Sequence, residues 1–381
     1  MREVAIAGVG LHKCGRFGDK PLLDIGREAT VAALKDANLE WKDIQAAYCS
    51  VVLTRGSIGV KVLTQLGRTT IPICDVEGAC ASGGVALRNA YMAVASGMYD
   101  IVLCLGVEKA PRGFLPPDDG YERWQIETGL SQNPMYWAMR ARRHMADYGT
   151  TKEQLAKVSV KNHANGALNP YAMYQRAMTM EEILASPVVC DPIHLYMLCA
   201  PDEGAAAVVV CSIDVARRLT AKPITIAASA HRTSPYSWFF VPMYSFTARS
   251  IDNPAPTPIT AKEAYAQAGL GPEDLDVAEV QDADSFCEIE AYEELGFCAY
   301  GEGGRLVDEG VTEIGGRLPV NTSGGLLSCG EPLGASHLRQ VCEIVWQLRD
   351  EAGPRQVSNA KVGLAHVLGA LGHCAVTILK R

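Results

Sequence analysis

The sequence predicts an α/β protein built as a duplicated fold. Three observations carry this expectation. Strand-like apolar runs alternate with helical stretches of about ten residues or more, a pattern that calls for crossover connections and a largely parallel sheet. The cycle is run through twice, and each passage holds a Gly-rich turn leading into a helix, "GACASGG" from Gly78 and "GEPLGAS" from Gly330. Between them, residues 112–188 break the pattern with Pro, Trp, Tyr, Met and charge, as in "FLPPDDGYERWQ" and "NPMYWAMRARRHMADYGTT", and read as an insertion with helices of its own. The expected division is a first half over 1–221, carrying the insertion, and a second half over 222–381.

The elements follow in order. "EVAIAGVG" alternates as a strand, "DIGREATVAALKDANL" has helical periodicity, and "AAYCSVVL" returns to strand. The turn around Cys80 then opens a helix, followed by the strand "DIVLCLGVE". After the insertion "GAAAVVVCS" resumes the sheet. The second passage starts at "KPITIAASA", continues through "DLDVAEVQDADSF" and the helix "SHLRQVCEIVWQLRD", and closes with "KVGLAHVLGALGHCAVTIL".

Composition removes several classes of function. A chain of 381 residues with 48% apolar content can bury a sizeable core. A net charge of -8 and a pI near 5.6 leave no general basic surface for nucleic acid. No run of about 20 apolar residues offers a membrane span, and "MREVAIAGVG" lacks the cationic leader of an export signal, so a cytoplasmic protein is expected. Thirteen scattered cysteines without a CxxC pair argue against a zinc site in this chain and against a disulfide framework.

Three stretches carry chemistry. Cys80 stands among small residues at the mouth of a helix, where free N–H groups stabilise a thiolate and offer donors to an oxyanion. A buried structural thiol at a strand-to-helix turn explains that stretch equally well. In "PVNTSGGLLSCGEPLGAS", Asn321 punctuates a loop and Glu331 precedes a helix, as a solvated turn carboxylate or as a group that orients a histidine or holds a proton. His366, amid apolar residues before the last Gly-rich turn, reads as a core histidine or as a base. His194 and His373 read as structural.

Taken in order, "GACASGGVAL", "CAPDEGAAAVVV", "AEVQDADSFCEIEAYEELGFC", "NTSGGLLSCGEPLGAS" and "HVLGALG" resemble the thiolase superfamily, in particular the branch of sterol-carrier-protein-X thiolases and their archaeal relatives. The resemblance implies a duplicated thiolase fold of two βαβαβαβ-type halves in five αβαβα layers, with a loop domain inserted in the first. It implies coenzyme A and acyl-CoA as substrates, with Cys80 as the acyl-accepting nucleophile. It also implies a homodimer core.

The departures define the expected site. Glu331 stands where most thiolases carry the histidine of Gly-His-Pro, and His366 where they carry a second cysteine. The loop that reads His-Asp-Cys-Phe or Asn-Glu-Ala-Phe in relatives is here Gln281, Asp282, Ala283 and Asp284. By this resemblance His366 is expected to act as base towards Cys80 and as the acid that protonates the enolate, with Glu331 orienting it and Gln281 holding a water. Asp284, Asn321 and Gly369 are expected around the substrate, and Arg140 and Arg143, beside Tyr136 and Trp137, around the phosphates of coenzyme A. The Glu-and-His pattern most resembles the thiolases that split benzoylsuccinyl-CoA into benzoyl-CoA and succinyl-CoA, which pair with a small zinc-ribbon, OB-fold subunit. The alternatives are a general 3-ketoacyl-CoA or sterol side-chain thiolase, a steroid side-chain retro-aldolase subunit, and a non-catalytic acyl-CoA-binding scaffold.

Overall fold

The computed structural model describes residues 2–113, 115, 122–220, 222–234 and 255–381. Most of "FLPPDDGYERWQ", and residue 221 at the expected boundary between the halves, lie outside the described residues. The first passage contributes β1 (Val4–Gly15), β2 (Ala46–Ser50), β3 (Ile73–Val76), β4 (Ile101–Lys109) and, after the small hairpin β5 (Val188–Cys190) and β6 (Ile193–His194), β7 (Glu203–Ser212). The second contributes β8 (Ile224–Arg232), β9 (Val277–Glu279), β10 (Val362–Leu368) and β11 (Cys374–Lys380).

Nine of these strands form one sheet in the order β3-β2-β4-β7-β1-β8-β11-β10-β9. Read outwards from the β1–β8 junction, the first passage pairs antiparallel, antiparallel, parallel and parallel through β7, β4, β2 and β3. The second repeats those senses through β11, β10, β9 and a parallel bridge from Ala278 to Val320. The duplication is therefore written in the strand order itself. The expectation of a largely parallel sheet is corrected, because only β2–β3, β2–β4 and β9–β10 run parallel within this sheet. β10 and β11 are joined by a turn of a few residues, which fixes them as a hairpin, and the long insertion between β4 and β7 lets the chain return in the opposite sense.

The helices Ser82–Ala95 and Ser336–Arg349 form the central layer, burying Leu87, Val94, Leu338 and Val345 against strands of both halves. Helix Leu22–Asp36 covers the far face of the first half, and helices Pro256–Ala268 and Ser285–Glu294 cover the far face of the second. This gives the five αβαβα layers. The insertion folds into helices Asn133–Tyr148 and Lys152–Ala167, the latter opened by Thr151, whose Oγ1 accepts from Gln154 N at 3.2 Å while Gln154 Oε1 accepts from Thr151 N at 2.9 Å.

The duplication positions the site. The two Gly-rich turns occupy equivalent places, the first between β3 and β4 and the second between the Val320 bridge and β10, and the central helices they open pack against each other. A Cβ on Gly83 would meet His337 Cβ at 3.2 Å, and one on Gly106 would meet Gly334 O at 2.4 Å. Contact this close brings the Cys80 turn and the Glu331 turn to one place.

Candidate active site

Cys80 lies in the one-turn segment Ala79–Ala81 that leads into helix Ser82–Ala95. Ala79 takes φ 50, a left-handed conformation that costs a non-glycine residue about 1 kcal/mol or more. Ser82 offsets that cost, since its Oγ accepts from Gly78 N at 2.8 Å and donates to Ala79 O at 2.6 Å. The last Gly-rich turn closes over the thiol from the other half. A Cβ on Gly369 would lie 2.9 Å from Cys80 N and 3.0 Å from Ala81 N, so only glycine permits this approach. Gly369→Ala is therefore expected to cost about 1–3 kcal/mol of stability, read as a lower urea midpoint, and to slow acylation of Cys80.

Cys80 is half-buried, and its thiol is pushed well above the usual range by burial first and by the Glu331 carboxylate second. The main-chain N–H groups of Cys80 and Ala370 reach the same sulfur and pull the other way. Two main-chain donors thus converge at the Cys80 sulfur, the arrangement that could receive an oxyanion formed there.

Glu331 follows Gly330, whose φ of 87 reverses the chain after the short helix Gly325–Cys329. A bridge from Pro201 to Glu331, with Glu331 N donating to Ala200 O at 2.9 Å, fixes the backbone. The side chain is 4% exposed and collects three donors: Gln281 Nε2 to Oε1 at 2.8 Å, Cys199 Sγ to Oε2 at 3.1 Å, and the Cys80 thiol. Burial raises its pKa, and those three hydrogen bonds offset part of the rise. A carboxylate thus sits between two thiols and one amide, within reach of the Cys80 proton. Gln281 Oε1 is buried without a protein partner and remains open to a water or a substrate group.

The structure brings Cys80, Glu331, Gln281 and Gly369 together and turns His366 away. Along β10, Val367 and its cross-strand partner Ala375 join Ala81 in the apolar cluster that backs Cys80. His366, one residue earlier, projects to the opposite face. There its Nε2 meets Thr257 Oγ1 at 3.2 Å, Nδ1 has no partner, and burial, with His337 adding, lowers its pKa to about 3. The expected Cys80–His366 pair with Glu331 behind it is replaced by a direct Cys80–Glu331 pair.

Other expected substrate contacts prove to be scaffolding. Asp284 caps helix Ser285–Glu294, its Oδ1 accepting from Phe286 N at 2.5 Å and Cys287 N at 3.1 Å. Asn321, at φ 55, takes Val280 N on Oδ1 at 2.8 Å and gives Nδ2 to Glu288 at 2.7 Å, which holds the Gln281 loop in place. Asp282 ties the same loop to Leu326 N at 2.6 Å, the first turn of the helix before Glu331. Arg140 pairs with buried Glu290, and Arg143 with Asp147 at 2.6 Å on a solvated helix face.

Cys199 was missed among the expected residues. The motif "CAPDEGAAAVVV" opens on it, and two residues later Pro201 bridges to Glu331. From Cys199 and Glu331 a cavity of about 540 Å³ opens, walled by Trp137, Tyr174, Tyr196 and Leu198. Among the described residues no group of His, Cys, Asp or Glu is placed to hold a metal ion, and no helix is long and apolar enough to cross a membrane.

Comparison with known proteins agrees with this architecture. The model of the thiolase N-terminal domain matches residues 4–214, and that of the thiolase C-terminal domain-like family matches 245–381. An acetyl-CoA acetyltransferase of Methanothermobacter thermautotrophicus is 41% identical over 98% of both chains. Benzoylsuccinyl-CoA thiolase subunit BbsB of Thauera aromatica is 36% identical over 97% of this chain and 95% of its own. Among solved structures, the Ltp2-ChsH2(DUF35) aldolase superposes with a TM-score of 0.86 at 30% identity, covering 99% of this chain and 97% of that one. With both halves matched, close relatives spanning the full length and a cysteine at the mouth of a central helix, the chain belongs to the thiolase family of acyltransferases.

Proposed function

We propose that this chain cleaves a 3-oxoacyl-CoA with coenzyme A through an acyl-Cys80 intermediate. The observation that carries the reading is the Glu331 carboxylate, which is hydrogen-bonded to the Cys80 thiol and itself lines an open cavity. Glu331 removes the Cys80 proton, and the thiolate attacks the 3-oxo carbon while the N–H groups of Cys80 and Ala370 receive the oxyanion. The tetrahedral adduct collapses by breaking the bond between C2 and C3, which leaves the acyl group on sulfur and an enolate on the departing thioester. Glu331 returns its proton to C2. It then deprotonates an incoming CoA thiol, which takes the acyl group and restores Cys80. The proton shuttle expected of His366 thus falls to Glu331.

The substrate we favour is benzoylsuccinyl-CoA, giving benzoyl-CoA and succinyl-CoA. The likeness to the BbsB subunit supports this, as does an aromatic-walled cavity of about 540 Å³, far larger than an acetoacetyl group requires. General 3-ketoacyl-CoA cleavage is the second reading, favoured by the acetyl-CoA acetyltransferase relative. We further propose a homodimer core with a small DUF35-type zinc-ribbon, OB-fold partner, supported by the likeness to the Ltp2-ChsH2(DUF35) aldolase.

Intact-protein mass after brief exposure to benzoylsuccinyl-CoA, acetoacetyl-CoA and a long-chain 3-oxoacyl-CoA, with and without co-purifying small subunit, tests the reading. A benzoyl adduct on Cys80 is expected. Acyl-CoA binding with no adduct from any substrate would move the protein to the scaffold or aldolase class.

A further inference from the structure

His163 lies on helix Lys152–Ala167, buried to 1% exposure, with neither Nδ1 nor Nε2 hydrogen-bonded to the protein. The Tyr196 main chain beside it pulls the ring's pKa up against burial but forms no hydrogen bond of proper geometry with either nitrogen, and its carbonyl takes Ser159 Oγ at 2.7 Å. Tyr174 and Tyr196 flank the imidazole with ring centroids 6.1 and 6.4 Å away. Burial lowers its pKa to about 4, so at neutral pH it is uncharged and presents one donor and one acceptor. A buried polar ring without partners is costly unless something completes it.

The ring lines the same cavity that ends at Cys199 and Glu331. Arg16 and Arg112 line it too, and Glu331 is the sole acid among its described walls. The Arg16 guanidinium donates to the main-chain carbonyls of Ala110, Pro111 and Pro201, neutral acceptors that do not cancel its charge. Behind the wall lies Asp202, whose carboxyl is pushed up by burial and pulled back by Arg16. The cavity is therefore largely apolar in its walls, carries two guanidinium groups against one carboxylate, and is supplied with one unused imidazole.

We propose that His163 is the specificity-determining residue of the acyl cavity, donating a hydrogen bond to an oxygen, best a carboxylate oxygen, carried on the substrate's acyl part away from the reacting carbons. The inference rests on the thiolase reading above and adds a substrate class to it. A site built to complete such a bond discriminates strongly against the analogue that lacks the oxygen, because the imidazole is then left buried and unpaired. Neutral His163 makes that discrimination directional: it does not repel an alkyl arm by charge, it fails to be satisfied by one.

The test compares 3-oxoadipyl-CoA with 3-oxohexanoyl-CoA, which share a chain length and differ in the terminal carboxylate, in the wild type, His163→Phe and His163→Asn. The wild type is expected to favour the carboxylate substrate by about tenfold or more in kcat/KM. His163→Phe fills the same space without a donor and is expected to abolish that preference through KM, with kcat on 3-oxohexanoyl-CoA unchanged. His163→Asn keeps an N–H and is expected to retain part of the preference, which a merely structural role for the ring would not predict. A wild type without preference, or a His163→Phe variant in which both substrates fall by one common factor, overturns the inference. Acetoacetyl-CoA is the separate control: acylation of Cys80 by it, with no discrimination between the longer pair, discards the His163 role alone, whereas no acylation by any of them discards the thiolase reading as well.

Discussion

Cys80→Ala is expected to lower thiolysis by at least about a thousandfold in kcat and to leave no acyl adduct on the protein. In the proposed reaction the sulfur is the atom that receives the acyl group. Cys199 touches the same carboxylate but lies on the other side of it, in the cavity wall, without the pair of main-chain donors that reach Cys80. Loss of one half-buried thiol should cost only about 1 kcal/mol of stability, so a melting temperature lowered by no more than a few degrees separates chemistry from folding. Alkylation must be mapped by peptide mass, since exposed Cys74 offers itself to a reagent before Cys80, whose thiol is held protonated by burial and by Glu331. A Cys80→Ala variant that still cleaves carbon–carbon bonds would be working by a retro-aldol route, and the acyl-enzyme would have to be abandoned.

Much of this arrangement is legible in the amino-acid sequence. The repeated strand-and-helix cycle, its two Gly-rich turns and the helix mouth at Cys80 follow from periodicity and turn chemistry, and the repeated strand order of the two halves carries them into three dimensions. Strand direction is less legible, because period and length describe an element and say little about the sense in which its neighbour returns. The role of Asp284 is legible as well: an Asp immediately before "SFCEIEAYEE" is a helix N-cap signal. His366 shows a deeper limit. Alternation places Val362, Leu364 and His366 on one face of β10 and Ala365 and Val367 on the other, yet nothing in the sequence says which face looks towards Cys80. That choice belongs to tertiary packing: Ala375, the cross-strand partner of Val367, lies against Gly84 of the first half's central helix, a contact that no local pattern encodes.

Glu331→Gln separates the two possible bases. If Glu331 takes the Cys80 proton, the amide variant is expected to lose about a hundred- to ten-thousandfold in kcat/KM, the span of general base catalysis. Its pH profile must change as well. Glu331 acts as a base only when ionised, and burial raises its pKa, so wild-type activity should fall as pH drops through a value above the ordinary carboxylate figure of 4.5. That acid limb should vanish in Glu331→Gln. Gln281→Ala, which removes one of the donors that favour the ionised form, should shift the limb to higher pH while leaving the plateau rate closer to wild type. His366→Ala behaves differently under the same logic. It deletes a buried ring bonded to Thr257, so it should cost about 1–3 kcal/mol of stability as a cavity and leave the acid limb where it was. Loss of the limb in His366→Ala, with Glu331→Gln still acylating at the wild-type rate, would return the base to His366 and require the face of β10 that backs Cys80 to rearrange when substrate binds.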